Sequence, residues 1–176
     1  LGAAFARAAG LADATWTLEA LHTFPTGVPP SLYFHGPMNS GGLIQDAGGF
    51  IYGTAVDDGD HAKGSVFRFN PADPSSFTNL HSFAGSDGAF PVAGLTASGG
   101  WLYGTTFSAP DETYGQHGTI YRIRPDGSGF ETLHLFSEPL EDLWTDYDGA
   151  GPVAALTAGP NGTLYGTTSG MIGPST

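Results

Sequence analysis

A short acidic and aromatic stretch, residues 137–147, is the part of this sequence best suited to act on a ligand. It contains four carboxylates and several apolar side chains, of which the candidate site residues are Glu138, Asp142, Leu143, Trp144 and Tyr147. Two carboxyl groups about 5–10 Å apart can hydrolyse a glycosidic bond. An exposed Trp and Tyr can instead stack on a sugar, or bury their rings in a subunit interface, where aromatic residues are enriched. The stretch therefore predicts an interface or a ligand site, with plain loop packing as a third interpretation.

The rest of the sequence contains no motif that indicates catalysis. There is no nucleophile elbow, phosphate-binding loop or His-Glu metal motif. The chain has no cysteine, which removes disulfides, thiolate metal sites and cysteine nucleophiles. We therefore expect no enzymatic activity and no cofactor. A glycoside hydrolase-like activity at Glu138 and Asp142 is the least favoured alternative.

Three histidines recur at one position of a repeated motif. The segments "LHTF", "LHSF" and "LHLF" place them at His22, His81 and His134. A zinc site needs three or four ligands about 2 Å from one ion, and equivalent positions of successive repeats can lie far apart. We predict that each imidazole hydrogen-bonds a neighbouring strand or loop, and we predict no metal site.

Tyrosines and an Asp-Gly pair recur in a similar way. The hexapeptides "FIYGTA", "WLYGTT" and "TLYGTT" contain Tyr52, Tyr103 and Tyr165. Their repetition favours packing in the core over an aromatic binding face. The Asp-Gly pairs at Asp87-Gly88 and Asp148-Gly149 have too few acidic neighbours for a calcium loop, so each predicts a turn capped by its Asp side chain.

The composition indicates which elements position these residues. Hydrophobic residues make up 40% of the 176 residues and charged ones 12%, with 28 glycines and 13 prolines, as is typical of short strands joined by tight turns. A net charge of -12 argues against binding nucleic acid. Because no apolar run approaches roughly 18 residues, we expect no membrane insertion.

Four kinds of strand-like segment recur along the chain. They are "GGLIQ", "AGLTA" and "AALTA", then the hexapeptides, then "GSVFRF" and "GTIYRI", and finally the histidine motifs. Asn161-Gly162 predicts a two-residue hairpin turn, because both positions accept positive φ. Asn161 also begins an Asn-Gly-Thr glycosylation sequon. Four antiparallel strands in each repeat predict an all-β, β-propeller-type fold.

The predicted division of the single 1–176 domain leaves one blade split between the termini. Residues 41–83 and 93–136 form whole blades, residues 1–24 the second half of a blade and residues 152–170 the first half, three blades in total. "GAAFAR" at 2–7 aligns with "GSVFRF" at 64–69 as a degraded third strand.

Three blades are fewer than the usual four or more of a closed ring. We therefore expect strands to pair between copies, the alternative being a fragment of a longer propeller. The residues expected in these pairing strands are Trp16, Leu18, Leu21, Phe24, Leu164 and Tyr165.

The run "LHSFAGSDGAFPVAGLTASGGWLYGTT", followed by "GTIYRIRPDGSGFETLHLF", resembles the GloVer-type tandem repeats of exported bacterial proteins. The resemblance implies a secreted or cell-surface propeller-like protein, and it carries over no catalytic residues. Together with the split blade, it predicts an extracellular structural protein that assembles with itself into a ring or fibre. A carbohydrate- or surface-binding propeller module, with glycans as partners, is the alternative.

Overall fold

The computed structural model describes residues 4–10, 16–23, 41–108, 117–136 and 149–169. These ranges are all-β apart from one 3-10 turn, Pro160–Gly162. The strands they contain are β1 (Ala4–Gly10), β2 (Trp16–Thr23), β3 (Ile44–Gln45), β4 (Ile51–Ala55), β5 (Ser65–Asn70), β6 (Asp73–Ser82), β7 (Thr96–Ser98), β8 (Trp101–Thr106), β9 (Thr119–Ile123), β10 (Glu131–Leu135), β11 (Thr157–Ala158) and β12 (Leu164–Tyr165).

The strands form antiparallel sheets whose order follows the sequence. One four-stranded sheet is β3-β4-β5-β6 and the other is β7-β8-β9-β10, which we call the first and second sheets. β1 pairs with β2, and β11 pairs with β12, each as a two-stranded unit that we call the N-terminal and C-terminal pair. The predicted all-β class and the four antiparallel strands of each complete repeat are therefore confirmed.

The C-terminal pair has the register of the first two strands of a complete sheet. In all three units the tyrosine of the hexapeptide faces the same position of the preceding strand. The facing pairs are Ile44 with Tyr52, Thr96 with Tyr103, and Thr157 with Tyr165.

The N-terminal pair has the register of the third and fourth strands. The repeated histidine faces the third strand at an equivalent residue in each unit: Val66 with His81, Ile120 with His134, and Phe5 with His22. A register shift occurs at the same place in each unit, so that the leucine before the histidine faces no residue of the third strand.

This register corrects the alignment of residues 2–7 with 64–69, which was wrong by one residue. Phe5, and not Ala4, is the counterpart of Val66, so Arg7 is the counterpart of Arg68. A shift of one residue exchanges the two faces of a strand. In the second sheet the same position is Arg122, opposite Glu131, just as Arg7 lies opposite Glu19.

The turn between β11 and β12 forms as predicted. Asn161 has φ 59° and ψ 26°, Gly162 has φ 77°, and the amide of Thr163 donates to the carbonyl of Pro160 at 3.2 Å. Two successive residues in the left-handed region match the twist of the flanking strands, which favours Asn-Gly here.

The main hydrophobic core lies between the first and second sheets. Its fully buried members come from both: Tyr52, Val66, Phe83, Leu95, Leu102, Tyr121 and Ile123. Burying each of the large side chains contributes about 1.5–3 kcal/mol. Since neither sheet completes this core alone, packing of one repeat on the next stabilises both.

Glycines of the hexapeptides let aromatic rings lie against the second strand. Gly53 faces Phe67 across β4 and β5, and Gly104 faces Tyr121 across β8 and β9. A Cβ at either glycine would overlap the ring opposite. The absence of a side chain is what these positions require.

Candidate interaction surface

The residues predicted for a ligand or interface site fall largely outside the described part of the chain. Glu138, Asp142, Leu143, Trp144 and Tyr147 all lie there, so their roles stay predictions. Phe24 also lies outside the described residues, whereas Trp16, Leu18 and Leu21 belong to β2 and Leu164 and Tyr165 to β12.

Histidine–phenylalanine stacks join successive units of the chain. The ring of His81 lies 3.6 Å from that of Phe130, centroid to centroid, and the two planes differ by 7°. The same stack joins the N-terminal pair to the first sheet, where His22 and Phe77 are 3.8 Å apart and nearly parallel. Each stack connects the fourth strand of one unit to the fourth-strand region of the next.

His81 also fixes the loop that follows its own strand. Its Nε2 lies 2.8 Å from Oδ2 of Asp87, while Oδ1 of Asp87 accepts the amide of Ala84 at 2.9 Å. The Nε2–H donates, because the carboxylate only accepts. The predicted structural role of His81 and the predicted Asp87-capped turn are therefore confirmed, whereas Asp148 lies outside the described residues.

Burial decides the protonation of two of these imidazoles. It lowers the pKa of His81 below 6.5, although the hydrogen bond and the charge of Asp87 oppose the shift. It likewise lowers the pKa of His22, against the attraction of Asp58. Both rings are therefore held toward the neutral form. A neutral imidazole can stack on phenylalanine without the cost of removing water from a charged group.

Hydrogen bonds to backbone carbonyls also cross between units. Oγ1 of Thr54 donates to the carbonyl of Ala93 at 3.0 Å, and Nη1 of Arg68 donates to that of Pro125 at 3.0 Å. From the second sheet, the hydroxyl of Thr96 donates to the carbonyl of Leu156 in the C-terminal unit. The four units are thus connected in sequence order.

A tyrosine–arginine pair recurs in the centre of each complete sheet. Tyr52 faces Arg68, and Tyr103 faces Arg122. The Tyr52 hydroxyl donates to Oδ2 of Asp46 at 2.8 Å, and burial together with this bond raises the pKa of Tyr52 to about 12. The hydroxyl of Tyr52 therefore stays protonated near neutral pH and serves packing.

Among the described residues, the large apolar side chains that are exposed lie where a neighbouring unit is incomplete. Tyr165 is 58% exposed although its counterpart Tyr52 is 2% exposed, and Val153 is 49% exposed against 8% for Val92. Leu133 and Leu135 of β10 are 41% and 49% exposed. We call Leu133, Leu135, Val153 and Tyr165 the C-terminal face.

A matching exposure occurs at the other end. Leu43 is 46% exposed, whereas its counterpart Leu95 is 3% exposed and packs in one cluster with Tyr52 of the preceding sheet. The unit preceding Leu43 is the N-terminal pair, to which no first and second strands are paired within the described residues. We call Leu43 together with β1 the N-terminal face.

Tyr165 therefore departs from the prediction that all three tyrosines pack in the core. Tyr52 is buried and Tyr103 is partly buried, but no third or fourth strand covers Tyr165 within the described structure. The sequence placed Tyr165 in a strand expected to pair between copies, but it did not point to Leu43 and Val153, whose counterparts Leu95 and Val92 are buried in the complete repeats. The signal that points to them is the position of each residue in an incomplete unit.

Within the described ranges, no three His, Asp or Glu side chains are grouped closely enough to hold a metal ion. The same ranges contain no helix with the length and apolarity required to cross a membrane.

The fold and these faces define a class of all-β tandem-repeat proteins in which each repeat packs on the next. Residues 11–174 match the Gloeobacter/Verrucomicrobia repeat family, and the chain belongs to that family. No curated protein and no solved structure matches the chain.

Proposed function

We propose that this is an extracellular, non-enzymatic structural protein whose copies join end to end. In each junction β11 and β12 of one copy and β1 and β2 of another form one four-stranded sheet. The first and second sheets of each copy and the sheets formed at the junctions then follow one another in a propeller-like arrangement. The assembly itself, as a ring or fibre, is the proposed function.

The observation that carries this proposal is the register of the two strand pairs. The C-terminal pair repeats the register of first and second strands, and the N-terminal pair that of third and fourth strands. An unpaired strand edge is a template for another chain. The C-terminal pair would provide the first and second strands of such a sheet, and the N-terminal pair of another copy would provide the third and fourth.

The exposed apolar residues support the same interpretation. Tyr165 and Leu43 are both exposed, whereas their counterparts Tyr52 and Leu95 pack together between the two complete sheets. Burying a side chain of this size stabilises a contact by about 1.5–3 kcal/mol. A junction of the same kind would therefore cover residues that are otherwise exposed to water.

The extracellular location rests on the resemblance to repeats of exported bacterial proteins. An assembled protein of low charged content and net charge -12 is compatible with a surface or matrix role. The proposal assigns it no substrate.

Particle mass by light scattering, with negative-stain imaging, tests the proposal. The full chain should form particles larger than one chain of 18.1 kDa. Tyr165→Asp places a charge in the proposed junction and should reduce assembly by at least about tenfold, as expected for a loss of about 1.4 kcal/mol or more. Ala97→Asp adds the same charge at an exposed residue of β7 and should leave assembly unchanged.

Removal of residues 1–24 provides a second variant, which should abolish assembly and leave a poorly soluble monomer. A wild-type chain that stays monomeric at all concentrations would contradict the proposal. So would a truncated chain that remains folded and soluble, or a Tyr165→Asp chain that assembles as well as Ala97→Asp.

A further inference from the structure

We infer that two phenylalanines, Phe90 and Phe107, determine which unit of the chain packs on which. They lie on opposite sides of two otherwise equivalent interfaces, so that the units are not interchangeable. The first interface lies between the first and second sheets, and the second lies between the second sheet and the C-terminal pair. Both lie within one copy, so the inference does not depend on the proposed end-to-end assembly.

One backbone hydrogen bond has the same form at both interfaces. The amide of Phe90 donates to the carbonyl of Lys63 at 2.8 Å, and the amide of Gly151 donates to the carbonyl of His117 at 3.1 Å. In each case the acceptor lies just before the third strand of one unit, and the donor lies in the loop that enters the next unit. Phe90 and Gly151 are therefore equivalent positions.

Close contacts of two glycines establish a second pair of equivalent positions. A Cβ on Gly64 would lie 2.8 Å from the carbonyl oxygen of Val56, and a Cβ on Gly118 would lie 3.3 Å from that of Phe107. Each glycine directly precedes the third strand of its sheet, and each of the two carbonyl residues directly follows the second strand. Val56 and Phe107 are therefore equivalent positions of the first and second sheets.

The backbone at residue 90 has a conformation that favours glycine. Phe90 has φ 57° and Gly151 has φ 56°, so both lie in the left-handed region. A Cβ is disfavoured there because it approaches the following carbonyl oxygen, and a bulky side chain in this region is an outlier. Such strain persists only where the surrounding structure requires it. The ring of Phe90 therefore makes a contact that glycine could not make.

The two interfaces place their phenylalanine on opposite sides. At the second interface, a Cβ on Gly151 would lie 3.1 Å from Cε2 of Phe107, so the ring of the preceding unit covers the glycine of the following unit. At the first interface, the preceding unit has the smaller Val56, which is 1% exposed, and the following unit has Phe90. The equivalence of the positions places Phe90 on Val56, and each interface thus contains one phenylalanine.

A wrong neighbour would bring together side chains of the wrong size. Phe107 against Phe90 would place two rings where one fits, and Val56 against Gly151 would leave a cavity. Overpacking and cavities both destabilise a core. Misassembly is a characteristic failure of repeat proteins, and specificity among similar partners requires that the wrong pair be unfavourable. The reversed placement therefore gives similar units a defined order.

A double-mutant cycle tests the first interface by urea unfolding. Val56→Phe should lower stability in the wild-type chain, and its effect on the unfolding equilibrium constant should be at least about tenfold smaller in a Phe90→Gly chain. The strain at residue 90 is the same within each pair of chains compared, so it cancels. Gly53→Ala is the matched control, because it overpacks the ring of Phe67 in the same sheet. Its effect should be the same with and without Phe90→Gly.

A second cycle keeps the test open where Val56→Phe alone does not fold. Gly151→Ala should be at least about threefold less harmful to the unfolding equilibrium constant in a Phe107→Val chain than in the wild type. The left-handed backbone at residue 151 affects both comparisons equally. Additive effects at either interface would overturn the inference.

Refolding separates an ordering role from packing alone. A chain with Val56→Phe and Phe90→Gly has the arrangement of the second interface at both places, so its units can exchange neighbours between chains. We introduce both changes into Tyr165→Asp, which disrupts the proposed junction, and compare the product with Tyr165→Asp alone. Light scattering after refolding should show a larger share of particles above 18.1 kDa for the chain with all three changes. Equal shares in the two chains would overturn the ordering role.

Discussion

His81 stacks on Phe130 with the ring centroids 3.6 Å apart, and this contact joins the fourth strand of one sheet to the next. The residues are 49 positions apart in sequence and belong to successive repeats. His22 and Phe77 repeat the contact one unit earlier. At His22 and His81 the histidine of the "LHxF" motif is therefore a packing residue between repeats.

The first prediction concerns the pH dependence of stability. Because burial lowers the pKa of His81 below 6.5 in the folded state, the unfolded chain binds more protons between the two pKa values. The free energy of unfolding therefore falls as the pH drops below about 6.5. Urea unfolding at about pH 7.5 and about pH 5.5, above the range where most carboxylates titrate, measures this loss.

His81→Gln is the matched variant for this prediction. It keeps a side-chain donor for Asp87 but does not titrate, so its stability should depend less steeply on pH than that of the wild type. His22 titrates in the same direction in both proteins, and the difference between them isolates His81. Equal slopes in wild type and variant would show that His81 is not held toward the neutral form.

The second prediction concerns the hexapeptide glycines. Gly53→Ala and Gly104→Ala place a methyl group against the ring of Phe67 or Tyr121. We expect each to lower the free energy of unfolding by about 1–3 kcal/mol, as measured by urea unfolding. At Gly42 no atom lies within 4 Å of an added Cβ, so Gly42→Ala should not destabilise. Similar losses at Gly42 and Gly53 would contradict the close-approach explanation.

The third prediction concerns the buried hydroxyl of Tyr121. Its ring is fully buried, and within the described structure its oxygen has no hydrogen-bond partner. The equivalent residue of the first sheet is Phe67. Tyr121→Phe should therefore leave stability unchanged or raise it by about 1–3 kcal/mol, since the desolvation cost of an unpaired hydroxyl is removed. A loss of more than about 1 kcal/mol in urea unfolding would point to a bond made by this hydroxyl.

The fourth prediction concerns the turn at Asn161. Its φ of 59° lies in the left-handed region, which costs a residue such as alanine about 1–2 kcal/mol. Asn161→Ala should destabilise the protein by about that amount, whereas Asn161→Gly should be tolerated. Thermal and urea unfolding of both variants check this, and equal losses in the two would contradict it. Glycosylation of the exposed Asn161 stays a separate prediction, checked by the mass of protein made in a glycosylating host.

The repeats, strand order and Asn161 turn could be predicted from the sequence because each depends on local residue types. The alignment at Phe5 was wrong by one residue because β1 is mostly alanine, and small side chains do not mark which face of a strand is buried. His22 fixes the register instead, through its pairing with Phe5.

The exposure of single side chains on the two faces could not be predicted, for a different reason. Tyr165 and Tyr52 have the same local sequence, and only the neighbouring unit decides which of them is buried. Residues 137–147 have no counterpart in the other repeats, so periodicity gives no information about them. Binding of glycans by Trp144 or Tyr147 therefore stays a prediction.

Hydrogen exchange along β12 in the native particle tests the central claim most directly. If β12 of one copy pairs with β1 of another, the amides of residues 164–168 should exchange as slowly as those of β8, which has strands on both sides. The Tyr165→Asp chain provides the unassembled reference and should exchange much faster there. Fast exchange at residues 164–168 in wild-type particles, equal to that of the variant, would contradict the proposed junction.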